Sequence, residues 1–114
     1  MDERILKLLF DINTAIEEIE NYFEGKEKNF FDYRNNTMLK RAVERDLEII
    51  GESVNKILKE DTSFTDKITD AKSIVALRNQ VIHAYDSISD ENIWSIIIKH
   101  LPKLKVEIKN LLAK

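Results

Sequence analysis

The chain has no cysteine, only two glycines and a single proline among its 114 residues. Without cysteine there is no disulfide, no thiolate metal site and no thiol nucleophile. With so little glycine and proline, the tight turns that a β-rich fold needs at short intervals have almost no material. Long apolar runs are missing too, which disfavours a membrane-spanning helix, and the opening Met1, Asp2, Glu3 and Arg4 puts acids where a secretory leader needs basic residues. The expectation is a cytoplasmic protein with no membrane contact. His83 and His100 are the only histidines, so one chain cannot assemble a three-histidine zinc site, and no His-Glu-x-x-His pair occurs. Nothing here calls for a metal or a cofactor.

What is present is charge and aliphatic bulk: 34% charged and 43% hydrophobic residues, with 18 Lys plus Arg against 21 Asp plus Glu for a net charge of -3. That balance favours solubility and does not advertise a nucleic-acid binder. A chain of this length buries roughly two thirds of its extended surface, enough for one domain over residues 1–114 without covalent staples. Apolar residues recur every three or four positions, which predicts an all-α fold, an antiparallel bundle of four to five helices.

The first stripe, Ile5, Leu8, Leu9, Ile12, Ala15, Ile16, Ile19, Tyr22 and Phe23, runs until Gly25. Phe30, Phe31 and Tyr33 then form an aromatic cluster, expected to plug the bundle end, with Asn35 and Asn36 as turn or cap residues. The second long helix is predicted from Thr37 to Glu60, with Met38, Leu39, Ala42, Val43, Leu47, Ile50, Val54, Ile57 and Leu58 on its apolar side. Asp61 to Phe64 reads as a connection. A third helix is capped by Asp70, or starts earlier near Thr65 or Asp66, and continues through Tyr85. A last region begins with Ser89 as cap, carries Trp94 as a core anchor, and is kinked or split at Pro102.

Some polar residues interrupt this scheme. At 100° per residue, Asp46 falls about 20° from Leu39, in the middle of the apolar face of the second helix. A buried carboxylate there needs an arginine or hydroxyl partner or a wet cleft, and two readings stay open: a solvated notch, or a functional or interchain contact. Glu44, Glu48 and Glu52 line the opposite face beside Arg41 and Arg45, as a solvated stripe or a weak divalent-cation site. Residues 99 to 114 hold Lys99, Lys103, Lys105, Lys109 and Lys114 against Glu107 alone, a modest basic patch that suits either solvent or RNA.

The most informative stretch is Ala76-Leu77-Arg78-Asn79-Gln80-Val81-Ile82-His83-Ala84-Tyr85. Arg78 falls within the apolar face of its helix, where a guanidinium must snorkel, stack, or meet a carboxylate or phosphate. Tyr85 is two turns on, nearly on the same side. His83 lies about 140° around and about 7.5 Å along from Arg78, so the pair does not converge within one ideal helix. Convergence can come from the helix ending near Tyr85, from the reach of the arginine, or from a second copy across a two-fold axis. Imidazole moves protons near neutral pH and arginine stabilises phosphate charge, which suits RNA cleavage without metal. Surface helices also produce such a pair with no function attached.

The pattern Arg78-Asn79-x-x-x-His83-x-Tyr85 resembles the Arg-x4-6-His signature of the HEPN superfamily in its HepT-like toxin branch. Arg41-Ala-Val-Glu44-Arg45-Asp-Leu-Glu48-Ile-Ile-Gly51-Glu52 is similar to that branch's second helix, and Asn92-Ile-Trp94 through Leu101-Pro102 to its final helical region. The resemblance implies a HEPN-like bundle forming a two-fold dimer, with an RNA-cleaving cleft shared between protomers. It assigns Arg78 to phosphate stabilisation, His83 to acid-base chemistry, and Asn79 to orienting the histidine or substrate. Tyr85 becomes the residue modified with AMP by a cognate minimal nucleotidyltransferase antitoxin, in a type VII-like toxin-antitoxin pair. Arg41, Glu44 and Glu52 match supporting positions. Asp46 is not carried over, and its place on the wheel makes it a partner for Arg78 or an interface group. The alternative is a nucleotide- or protein-binding helical dimer without turnover.

Overall fold

The computed structural model describes residues 2–24, 26–83 and 89–113, the side chains of 78–83 excepted. All regular structure among them is helical: α1 (Glu3–Tyr22), α2 (Phe30–Arg34), α3 (Thr37–Glu60), α4 (Phe64–Lys67), α5 (Ala71–His83), α6 (Asp90–Ser95), a π-helical segment (Ile96–His100) and α7 (Leu101–Leu112).

Helix starts follow side-chain chemistry. Asp2 accepts from the Arg4 N–H, Asn29 from Asp32, Asn36 from Leu39 and Ser89 from Asn92, each satisfying a backbone donor that the first turn leaves open. The boundaries of α3 agree with the apolar spacing at both ends. Ile5, Leu9, Ile12, Ile16 and Ile19 of α1 are buried against Val43, Leu47, Ile50, Val54 and Ile57 of α3. The two run antiparallel, because Arg4 pairs with Glu60 at 3.2 Å while Tyr22 reaches back to Asp46. α7 closes the other side of α1 with Leu101, Leu104, Ile108 and Leu111, and Lys105 Nζ lies 2.8 Å from Glu20 Oε1.

Phe30 and Tyr33 form the expected aromatic plug as part of the short helix α2, but Phe31 does not join it and is 67% exposed. Trp94 collects Phe23, Phe30 and Tyr33 around it at ring-centroid distances of 5.8, 5.9 and 5.5 Å. Edge and tilted contacts of this kind add to the area that each ring buries.

Further expectations need correction. Met38 does not join the apolar side of α3; it is 84% exposed, because it sits in the first turn and points away from the flank that Val43 and Leu47 bury. The stretch read as a connection ends in the single turn α4, whose Phe64 is buried. The third helix does not begin at Thr65 or Asp66, since Ile68–Asp70 separates α4 from α5, which starts directly after Asp70. Pro102 does mark a division of the final region, between the π segment and α7. It falls in the first turn of α7, where the preceding π segment supplies the wider turn and the missing proline N–H costs little. No helix among the described residues is long and apolar enough to cross a membrane.

Candidate functional site

α5 packs against α3 and carries Arg78, Asn79 and His83 in its last turns. Their side chains, and Tyr85 entirely, lie outside the described residues. The backbone is helical through His83, so the Arg78 and His83 positions keep the angular separation expected of one helix, about 140°.

Asp46 is buried, 2% exposed, on the α1-facing side of α3. Its partner is a hydroxyl: Tyr22 Oη donates to Asp46 Oδ2 at 2.7 Å, and donates more weakly to Glu18 at 3.5 Å. Burial raises the Asp46 carboxyl above the usual carboxylate range, the Tyr22 hydrogen bond pulls it part of the way back, and neighbouring Glu18 pushes it up again. The hydroxyl partner required by its position is therefore present, and it comes from α1.

Arg41, Glu44 and Glu52 occupy the other flank of α3, about 160° or more from Asp46 on the wheel for Glu44 and less for the other two. Arg41 is exposed. Glu44 is half-buried beside Tyr33, whose hydroxyl is enclosed without a hydrogen-bond partner; burial, then the charges of Glu44 and Asp90, raise that phenol well above its ordinary value. Glu48 lies 3.8 Å from Arg45, and Glu52 lies 3.1 Å from Lys56. Glu48 and Glu52 are thus each paired with a cation of their own helix, and among the described residues no three His, Asp or Glu side chains converge as metal ligands.

A feature that sequence reasoning missed lies beside the first turns of α5. Between α5 and the α6–π stretch is a cavity of about 470 Å³ with Ile74, Leu77 and Ile96 as apolar walls. At its mouth Asp70 Oδ2 lies 3.4 Å from His100 Nδ1 and 3.3 Å from Lys103 Nζ. Lys103 and Lys105 are therefore drawn into ion pairs, and the basic patch read from the tail is partly neutralised. The His100 and Lys103 spacing places both on one helical flank, which was the available signal; Asp70, read only as a cap, gave no hint of its second role. Lys40 also pairs with Asp90 at 3.3 Å, tying the start of α6 to the first turn of α3.

Comparison with known proteins adds a lineage to this geometry. The family described as Ribonuclease HepT-like matches residues 12–111. The chain is 36% identical over 86 residues, 75% of its length and 76% of the relative's, to "Putative RNase TTE0752" of Caldanaerobacter subterraneus. It is 33% identical over 112 residues, 96% of its length and 98% of the relative's, to "Putative RNase MJ1380" of Methanocaldococcus jannaschii. With "Probable ribonuclease HepT" of Thermococcus cleftensis it shares 31% identity over 103 residues, 90% and 91% of the two chains. No solved structure gives a significant match.

Proposed function

This chain belongs to the HepT-like ribonuclease family, and from that premise we propose that it is a metal-independent endoribonuclease whose working groups are Arg78 and His83. The observation that carries the reading is the family match across residues 12–111, spanning a helix on which Arg78 and His83 stand five residues apart.

Because the two positions face different directions on one helix, the active form is a two-fold dimer in which the Arg78 and His83 pairs of both protomers meet in one cleft. One His83 takes the proton of the RNA 2′-hydroxyl as that oxygen attacks phosphorus. The other protonates the departing 5′-oxygen as the P–O bond breaks. The paired guanidinium groups neutralise the charge gathered on the pentacoordinate phosphate, and the products carry a 2′,3′-cyclic phosphate and a 5′-hydroxyl. Asn79 orients the histidine or the substrate, while Arg41, Glu44 and Glu52 support the frame.

In the cell the protein acts as the toxin of a type VII-like toxin-antitoxin pair. A minimal nucleotidyltransferase antitoxin transfers AMP to the Tyr85 hydroxyl, releasing pyrophosphate from ATP. The added phosphate and bulk beside Arg78 exclude the RNA backbone.

Cleavage of RNA with product-end analysis tests the site. Arg78→Ala and His83→Ala should each lower the rate by about 10² to 10⁴-fold without changing helix content; undiminished cleavage in both removes the assignment. Intact-mass measurement with the antitoxin and ATP should show one AMP per chain, absent in Tyr85→Phe, with cleavage lost only where AMP is added. Saturable nucleotide binding with no turnover by the unmodified dimer would favour the non-catalytic alternative.

A further inference from the structure

We propose that the cavity between α5 and the π segment receives a nucleobase of the RNA adjacent to the cleaved phosphate, with Asp70 and His100 reading the base edge. This rests on the ribonuclease reading above and extends it from the phosphate to the base.

The lining has the chemistry of a base pocket. A nucleobase has apolar faces and a polar rim; Ile74, Leu77 and Ile96 supply the walls, and the hydroxyls of Ser73 and Ser95 and the amide of Asn92 supply the rim. None of these three side chains has a hydrogen-bond partner among the described residues, although each stands at a cavity wall. A volume of about 470 Å³ accommodates a base with its sugar.

At the mouth, Asp70 directs one oxygen to both His100 and Lys103. Its other oxygen is left to accept from a ring or exocyclic N–H, while Nε2 of His100 is left to a second polar atom of the ligand. Lys103 offsets the Asp70 charge, so a phosphate-bearing chain is not repelled from the entrance.

Position follows from the helix. Arg78 is one turn beyond Ile74, about 6 Å along and about 40° further round. A phosphate held at the Arg78 position and a base held against Ile74 are thus separated by a distance that a single nucleotide bridges. A second protein copy laid over the same groove would have to supply its own partners to Asp70, His100 and Asn92 or leave their polar groups stranded.

The experiment has two arms. Uncharged nucleosides and, separately, inorganic phosphate are titrated into the protein while NMR follows the His100 ring and the Asn92 side-chain amide. Cleavage of oligonucleotides varied at the positions flanking the cleaved bond is measured for the wild type, Asp70→Asn, Asn92→Ala and the cavity-filling Ser95→Leu. Asn92 is exposed, so its variant reports even if Ser95→Leu fails to fold.

The expected result is a saturable response to at least one nucleoside and none to phosphate, with discrimination among the four bases reduced about tenfold in Asp70→Asn. A response to phosphate alone, or unchanged base preference in every variant while the wild type cleaves, overturns the pocket and leaves the ribonuclease reading intact. A change of oligomeric state in Ser95→Leu overturns it in favour of a copy-to-copy contact. A wild type that cleaves no RNA removes the ribonuclease reading itself, and this subsite with it.

Discussion

The two faces that flank the middle of the bundle are built differently. Between α1 and α3, aliphatic side chains meet with almost no exposure, and the one carboxylate among them, Asp46, is met by a hydroxyl. Between α5 and the π segment, Ile74, Leu77 and Ile96 instead wall a cavity rimmed by serine, asparagine, aspartate and histidine. The first interface spends its apolar surface on stability. The second leaves surface and hydrogen-bonding capacity to a ligand, and it does so on the helix that carries Arg78 and His83.

Substitutions on the two sides should separate along the same line. The largest effect on stability is expected from Ile57→Ala in the closed interface, about 2–5 kcal/mol by denaturant unfolding, with cleavage per folded molecule retained. The contrast fails if Ser73→Ala, on the rim of the open side, destabilises the chain as much.

Tyr22→Phe should cost about 1–3 kcal/mol at neutral pH, because it leaves a buried carboxylate without its donor. Asp46→Asn sharpens the same point through pH. The folded chain binds a proton at Asp46 more tightly than the unfolded chain does, so the contribution of this group is fully present below the ordinary aspartate range, near pH 4, and is lost as pH rises through the raised value. The asparagine variant lacks that loss. Its stability relative to wild type should therefore climb with pH and then level off, as urea midpoints across an acid-to-neutral series would show. A flat difference would mean that the folded and unfolded chains bind the Asp46 proton equally well. The smallest effect belongs to Lys56→Ala, which removes an exposed pair with Glu52 and should change stability by about 0.5 kcal/mol or less.

These differences also explain what can be read from residues alone. α1 and α3 are long, and their burial repeats every turn, so spacing reveals both. Thr37 and Glu60 mark the ends of α3 because Asn36 caps one end and the apolar period stops at the other. α4 is a single turn and leaves no period to read. The π segment escapes because Ile93, Ile97 and Leu101, four residues apart, suit an ordinary helical stripe equally well. Asp46 announces that it needs a partner, but the choice of Tyr22 depends on how α1 and α3 align. Arg78 and His83 are visible as a local pattern, whereas Asp70 and His100 meet only because two separate helices bring them together.

The attachment of α7 to α1 bears on how the protein is made. Lys105 and Glu20 are 85 positions apart, and among the described residues Leu101, Leu104, Ile108 and Leu111 of α7 form a second wall for the stripe of α1. A growing polypeptide can pair α1 with α3 early, yet that hairpin keeps a greasy flank open to water until α7 leaves the ribosome. Completion of this bundle therefore waits for α7, and a nascent chain stalled before it exposes that flank to chaperones and proteases.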